Sequence, residues 1–522
     1  MGERTLRDSI LSATEHLGQG TNVTIEVDTC LKGTSDKVTA WTEEEVKVWA
    51  RAYDGLVMSP VDRNAGDTAL ICPILHRHGF GKTFTWNADY ARVRSTEEDI
   101  LAACKNDFSK AGLLQAGGWK PHGRLGKAYV IPKDKDLQLW RPITPACSDP
   151  AAVAQKRCAR ALYCLVTRLS RNQNFHLASV QGLVDDLEGV CEKWGKSGYT
   201  ETVGRCYDIK EMFSSIPHTA VSEAVFDLLR LVENEGWKQV RVATRGKLCT
   251  LSKTNRTVPG YISVKLKMIL ALVQYDLEHA YMVCGEEIRK QEVGIPMGKI
   301  TSPVLATITC AMAELKFLNS LGTDRSLVRG WRMVDDVSIV VGCTKDEASI
   351  SKANRILDDY ESCYDSKLRL VRKDEGAGYC PFIGGILYTT TEPMQLHFVQ
   401  ETKNTKGLRQ GKGLMYQTMQ DFDSFSDKRA KVVALSSTLK RLWAATTSKA
   451  LSIGVIAFAM IESLLRGYPP EFSLRALAIL AKVVGYIPKF SRQATGCDEL
   501  RTLDQTRVFL DRDTSGNRQR KT

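Results

Sequence analysis

None of the fifteen cysteines stands in a C-x-x-C pair, and their odd number and scattered spacing exclude a zinc ribbon and a disulfide framework. They read as reduced thiols inside a cell. Cys72, His76 and His78 lie close together, but no second ligand pair follows at finger spacing. The first residues, Met1 to Leu6, lack the apolar core of a signal peptide, and Leu6 stands where a myristoylation signal takes Ser or Thr. No run is apolar for long enough to cross a bilayer, which leaves a membrane out. The most apolar stretch, Ala450 to Ile461, stops at Glu462 and fits a buried helix. No internal repeat is evident.

What the chain does have is cation. Seventy-two lysines and arginines against 60 acids leave a net charge of +12, which favours a polyanionic partner such as nucleic acid. Its 43% hydrophobic and 25% charged residues are ordinary for a globular protein. At 522 residues it exceeds one core, and about three subdomains are expected.

The most informative stretch is Trp331 to Val341, where Asp335 and Asp336 sit between apolar, strand-forming runs. The alternation predicts a tight hairpin with buried arms and the two acids at its bend. Neighbouring carboxylates at such a bend repel and lose hydration, and a divalent cation is the simplest relief. Upstream, Cys206 to Pro217 leaves a strand and enters a helix whose Val221, Ala224, Val225, Leu228, Leu229 and Val232 form one stripe. Asp208 thus ends a strand and can meet the Asp335-Asp336 bend if the strands are neighbours.

Three further segments carry cations or glycine. Ala128 to Ile143 predicts a hairpin offering Lys133 and Arg141, the latter suited to a triphosphate. Pro150 to Arg171 reads as a helix with Arg157, Arg160, Arg168 and Arg171 within roughly an 80° arc, a stripe for phosphate backbone. Lys403, Lys406, Arg409 and Lys412 follow with no acid between Thr402 and Gln420, and read as a flexible basic linker. Trp237 to Thr257 reads as an exposed basic hairpin region, and Ser263 to Ala280 as a helix. Gly294 to Pro303 is a glycine- and proline-punctuated loop entering an apolar helix. Together with the three acids these are the parts of metal-assisted nucleotidyl transfer. Two Mg²⁺ ions about 3.5–4 Å apart, with Mn²⁺ as the alternative, suit aspartates without His or Cys.

In order and content these segments resemble the reverse transcriptase family over about residues 59 to 490. Lys133 with Trp140-Arg141-Pro142-Ile143 is similar to the fingers motifs, and Asp208 to Pro217 to motif A. Gly294-Ile295-Pro296-Met297-Gly298 with Ser302-Pro303 resembles motif B, Met333-Val334-Asp335-Asp336 motif C, and Phe382-Ile383-Gly384 the primer-grip turn. Tyr281 to Gly294 and Arg466 to Pro469 look most like Penelope-like and telomerase-type members. Two positions depart from the pattern: Met333 stands where an aromatic is usual, and Met297 where many relatives carry Gln.

The resemblance implies an α+β right-hand polymerase with a palm of antiparallel strands and a helical thumb. The divisions expected are an N-terminal extension over 1–58, fingers over 59–200 and palm over 201–398, with an insertion at 237–290. A thumb over 399–490 and a tail over 491–522 complete it. By the same resemblance Asp208 and Asp335 ligate both metals, Asp336 assists, and Ile209 adds a ligand. Lys133, Arg141, Met297, Gly298 and Lys373 line the nucleotide site, and Phe213 excludes a ribose 2′-hydroxyl. The implied activity is RNA-directed DNA synthesis on a DNA primer with dNTPs, inside the cell, and in the nucleus if the chain is a eukaryotic retroelement product. The alternatives are an RNA-dependent RNA polymerase, disfavoured by Phe213 and by Val334 before the acid pair, and an inactive RNA-binding scaffold, disfavoured by the three retained acids.

Overall fold

A computed structural model describes residues 42–484 apart from 134–135, 375–378 and 425. The expected tail over 491–522 and most of the expected extension over 1–58 lie outside the described residues.

Everything is arranged on a four-stranded antiparallel sheet of β1 (Glu201–Ile209), β2 (Val328–Met333), β3 (Asp336–Cys343) and β4 (Leu370–Arg372), in spatial order β2-β3-β1-β4. Because side chains alternate along a strand, β3 feeds two different cores. Val337, Ile339 and Val341 face a large helical core, whereas Val340, with Trp331 of β2, faces a smaller one.

The helices in question are α1 (Ala152–Val166), α2 (Gln181–Lys196), α3 (His218–Asn234), α4 (Leu266–Glu278), α5 (Ser302–Ser320) and α6 (Glu347–Glu361). All but α2 build the large core. The small one is closed by α2 and a second sheet of β5 (Cys380–Phe382), β6 (Gly385–Thr391) and β7 (Met394–Gln400). In α3 the buried residues are those of the predicted stripe. Helix α5 is apolar nearly all round and accordingly buried nearly all round.

Ahead of the sheet lie two hairpins, Val57–Val61 with Asn64–Ile71 and Tyr129–Lys133 with Asp136–Ile143, the second matching the hairpin expected there. After it come α7 (Lys428–Ala444), α8 (Lys449–Leu465) and α9 (Pro470–Val484), packed through Leu435, Leu439, Val455, Ile456, Ala476 and Leu480. Asp427 and Ser448 cap α7 and α8 by accepting N–H groups of their first turns. The apolar stretch ending at Glu462 is the packed helix α8.

Three local expectations need correction. Helix α1 ends at Val166, not Arg171, because the Thr167 hydroxyl donates back to the Tyr163 carbonyl (2.7 Å) and the next bonds tighten to three-residue steps. Arg168 and Arg171 therefore lie beyond it. Residues Tyr261–Lys265 are a strand rather than the start of a helix, since Ile262 and Val264 alternate against Gln239–Ala243. The 402–420 segment is no flexible linker: it forms a short helix, Thr405–Arg409, with Asn404 bonded to the buried Glu462 of α8 (2.7 Å).

Between sheet and helix α5 lies a fully buried ion pair, Arg332 with Glu314 (2.5 Å). Glu314 also accepts from the Tyr364 hydroxyl (2.7 Å) and the Phe175 N–H (2.9 Å). Breaking a buried pair strands a charge in a medium that solvates it poorly. Glu314→Leu should lower unfolding free energy by about 3–5 kcal/mol, and adding Arg332→Met should restore only part of it, because that arginine also donates to the Val334 and Thr307 carbonyls. Urea denaturation reads both; a negligible loss in the single variant would deny the pair this role.

Candidate active site

Strands β2 and β3 are joined by a two-residue turn, Val334-Asp335, with Met333 opposite Asp336. Val334 takes φ +62°, a left-handed conformation that costs a β-branched residue about 1–3 kcal/mol. Arg332 donates to the Val334 carbonyl (3.3 Å) and the Ile209 N–H to that of Asp335 (2.8 Å), so the turn is held from both sides.

Asp208 is the direct cross-strand partner of Asp336. In an antiparallel pair opposed side chains share one face, with Cβ atoms about 4.5–5.5 Å apart. The sheet thus brings Asp208 and Asp336 together, with Asp335 one residue away at the bend. Ile209 is register-paired with Leu370. The Asp336 carboxylate accepts from Lys373 Nζ (2.5 Å) and from the Ile383 N–H (2.8 Å). That N–H comes from the β5–β6 turn, where Ile383 (φ +41°) and Gly384 (φ +76°) are both left-handed. Burial pushes the Asp336 carboxyl above the usual aspartate value, and Lys373 and the Ile383 N–H pull it part of the way back. Asp208 is one-third exposed (33%), with Lys210 Nζ at 3.7 Å.

Among the described residues no group of three or more His, Cys, Asp or Glu side chains stands ready to hold a metal by itself. A hard ion that takes one or two protein carboxylates and completes its shell with water and phosphate needs no such cage. Asp208 and Asp336, opposed on one sheet face, are the carboxylates such an ion would meet.

The glycine loop packs on the short segment that follows β1. Ile295 N–H donates to the Phe213 carbonyl (2.6 Å), and a Cβ on Gly294 would lie 2.6 Å from the Ser214 oxygen. Gly298 (φ +134°) passes so close to Thr144 that a Cβ would sit 2.2 Å from its carbonyl oxygen. The Met297 carbonyl accepts from Thr144 N–H (2.7 Å), and Met297 Sδ lies 3.9 Å from Arg141 Nη1. Arg141 itself is bound by Asp62 (2.7 Å), and Lys133 is bridged to the same Asp62 backbone. Phe213, Met297, Gly298 and Arg141 are therefore one connected group, linked to the end of β1 through Phe213.

The basic stripe is different. Arg157 donates to Ala116 O (2.7 Å), Arg160 to the Ala243 and Leu248 carbonyls (2.9 and 3.1 Å), and Arg171 pairs with Asp186 (2.8 Å). Arg168 lies over the Trp237 ring at 5.1 Å. Each has a partner in the fold, and only Arg157 and Arg160 lie on α1, so the stripe expected on one helix does not form there; Arg168 and Arg171 are exposed beyond its end. In the 402–420 segment Arg409 pairs with Glu401 (2.7 Å) and Lys403 reaches the Arg63 carbonyl (2.5 Å), while Lys406 and Lys412 are exposed.

Sequence reasoning missed Arg332, Glu314, Asp62 and the buried Asp276–Lys299 pair (2.6 Å) behind the glycine loop. A signal existed for Glu314: it is the lone charge inside an apolar run from Val304 to Leu315. Asp62 carried none.

No family model matches the chain, and no curated protein matches it. Solved structures do. The fold is polymerase-like and mixed α+β. The structure of apo telomerase from Candida tropicalis aligns at a TM-score of 0.51 and 12% identity, over 92% of this chain and 76% of that one. Telomerase from Candida albicans, solved in complex with a fragment of telomeric RNA, aligns at 0.50 and 12%, over 88% and 67%.

The shift of Asp336 has a definite sign. Its folded value is raised, so the fold favours the protonated form; that preference is complete below the unfolded value and is lost as pH rises through the folded one. Lys373→Met removes the main opposing influence. The variant should lose about 1.5 kcal/mol at pH 7 and much less at pH 4. Equal urea midpoint shifts at both pH values would show that the loss does not come from the charged Asp336 carboxylate.

Proposed function

We propose that the chain is an RNA-directed DNA polymerase that extends a primer 3′-hydroxyl with dNTPs. The observation that carries this reading is the register placing Asp208 opposite Asp336 with Asp335 at the adjoining bend. Acids distant along the chain are otherwise costly to gather on one sheet face.

In this reading Asp208, Asp335 and Asp336 hold two Mg²⁺ ions, with Mn²⁺ as the alternative. When bound, these ions would lower the pKa of the attacking hydroxyl and stabilise charge on the pyrophosphate leaving group. Lys373, now on Asp336, is free to turn to a phosphate once a cation neutralises that carboxylate. Arg141, fixed by Asp62 and Met297, presents its remaining N–H groups to the triphosphate, and Lys133 extends from the same hairpin. Phe213 is anchored through its carbonyl to the glycine loop and would press on the 2′ position of the sugar. The partners proposed are an RNA template, a DNA primer and their hybrid, with Lys403, Lys406, Arg409 and Lys412 along the backbone.

The test is extension of a DNA primer on RNA and DNA templates with Mg²⁺, comparing deoxy- with ribonucleotides. Asp335→Asn should abolish extension while hybrid binding stays near wild type, because the backbone contacts lie elsewhere. Substantial residual synthesis would remove the metal assignment. Phe213→Ala should admit ribonucleotides; unchanged sugar selectivity would sink the gate.

A further inference from the structure

From Gly236 to Tyr275 the chain carries eight lysines and arginines and no aspartate or glutamate. The segment folds into a three-stranded sheet, Gln239–Ala243, Cys249–Ser252 and Tyr261–Lys265, that runs directly into α4. One face, with Val240, Val242 and Val264, is buried in the large core. Alternation and the loops therefore send the charge outward. Lys238, Arg245, Lys247, Lys253, Arg256 and Lys265 are all exposed, and none pairs with a carboxylate among the described residues.

The array is also fixed in place. Gln239 donates its amide to the Thr254 and Arg256 carbonyls (2.8 and 3.2 Å), and Arg160 of α1 holds the Ala243–Leu248 turn through both carbonyls. Trp237 lies between Arg168 and Lys253, at 5.1 and 5.0 Å from its ring. Glu235, the nearest acid along the chain, is engaged by the Trp237 indole N–H (3.0 Å). Like charges held on a rigid surface repel one another, and a strand of phosphates relieves that repulsion while releasing its own counterions.

One helix ties this sheet to the glycine loop. Helix α4 runs from Leu266 beside this sheet to Asp276, about 15 Å along its axis, and Asp276 binds Lys299 of the glycine loop. The next hairpin, Tyr281–Cys284 with Glu287–Gln291, joins a sheet with Tyr90–Val93 and Gly126–Lys127 from ahead of β1. We propose that this basic sheet binds the unpaired template strand ahead of the candidate active site, through its sugar-phosphate backbone and without base selectivity. The inference rests on the polymerase reading, and it adds a contact surface separate from the candidate active site.

The full chain is titrated by fluorescence anisotropy against two RNA–DNA hybrids, one blunt and one with a long 5′ template overhang, over a salt series. The wild type should bind the overhang hybrid more tightly. In the triple variant Arg245→Ala, Lys247→Ala, Arg256→Ala the slope of log affinity against log salt should fall by about 2 on the overhang hybrid, at about 0.7 per phosphate contact for a single strand. On the blunt hybrid it should not move. Lys247→Ala alone, with wild-type melting, should give about one third of that change, so the result does not hang on the triple variant folding. No preference for the overhang, or equal effects on both hybrids, overturns the proposal. Primer extension by the wild type on the same hybrid separates the two ideas: extension without an overhang effect sinks this surface alone, and absence of extension sinks the polymerase reading with it.

Discussion

The ion pair between Arg332 and Glu314 does more than fill a hole between sheet and helix. Arg332 sits two residues before the Val334-Asp335 turn, and its guanidinium spans the Glu314 carboxylate, the Thr307 carbonyl and the Val334 carbonyl. The last two contacts tie a strained turn to the central helix. Val334 gives up about 1–3 kcal/mol in its left-handed conformation, and hydrogen bonds from a charged donor return about 1.5–3 kcal/mol each. The bend therefore survives as a fixed feature, and the acids it carries stay at one place relative to α5.

From that fixed bend the other contacts follow. Asp336 is flanked by Asp208 across the sheet and reached from outside by Lys373 and by the Ile383 N–H. Two elements separate in sequence, the β4 end and the β5–β6 turn, thus converge on one carboxylate. The raised Asp336 value is the electrostatic trace of this crowding: burial disfavours the charge, and the lysine offsets only part of the cost. A carboxylate held in that condition gains more from an added cation than a solvated one would.

The glycine loop connects this corner to the leading hairpins. Gly298 admits the Thr144 carbonyl at a distance no side chain allows, and that contact sets Met297 against Arg141. Arg141 is aimed by Asp62, a residue in a turn of a different hairpin. Met297 and Arg141 are therefore positioned by the close backbone approach at Gly298 and by the Asp62 carboxylate.

Features with local causes were legible in the chain. The apolar runs flanking Asp335 and Asp336 made a hairpin, the α3 stripe buried the residues its spacing named, and the hairpin at Lys133–Asp136 formed where its charged turn indicated. Each follows from backbone periodicity and turn chemistry, which neighbours in sequence decide. Partnership is another matter. That Asp208 meets Asp336, that Lys373 lies on a carboxylate, and that four arginines serve carbonyls, Asp186 and a tryptophan ring depended on which groups the fold left facing them. A cation's spacing along the chain says which way it points; only the packed structure supplies what it points at, because desolvated carbonyls and carboxylates are created by tertiary contact.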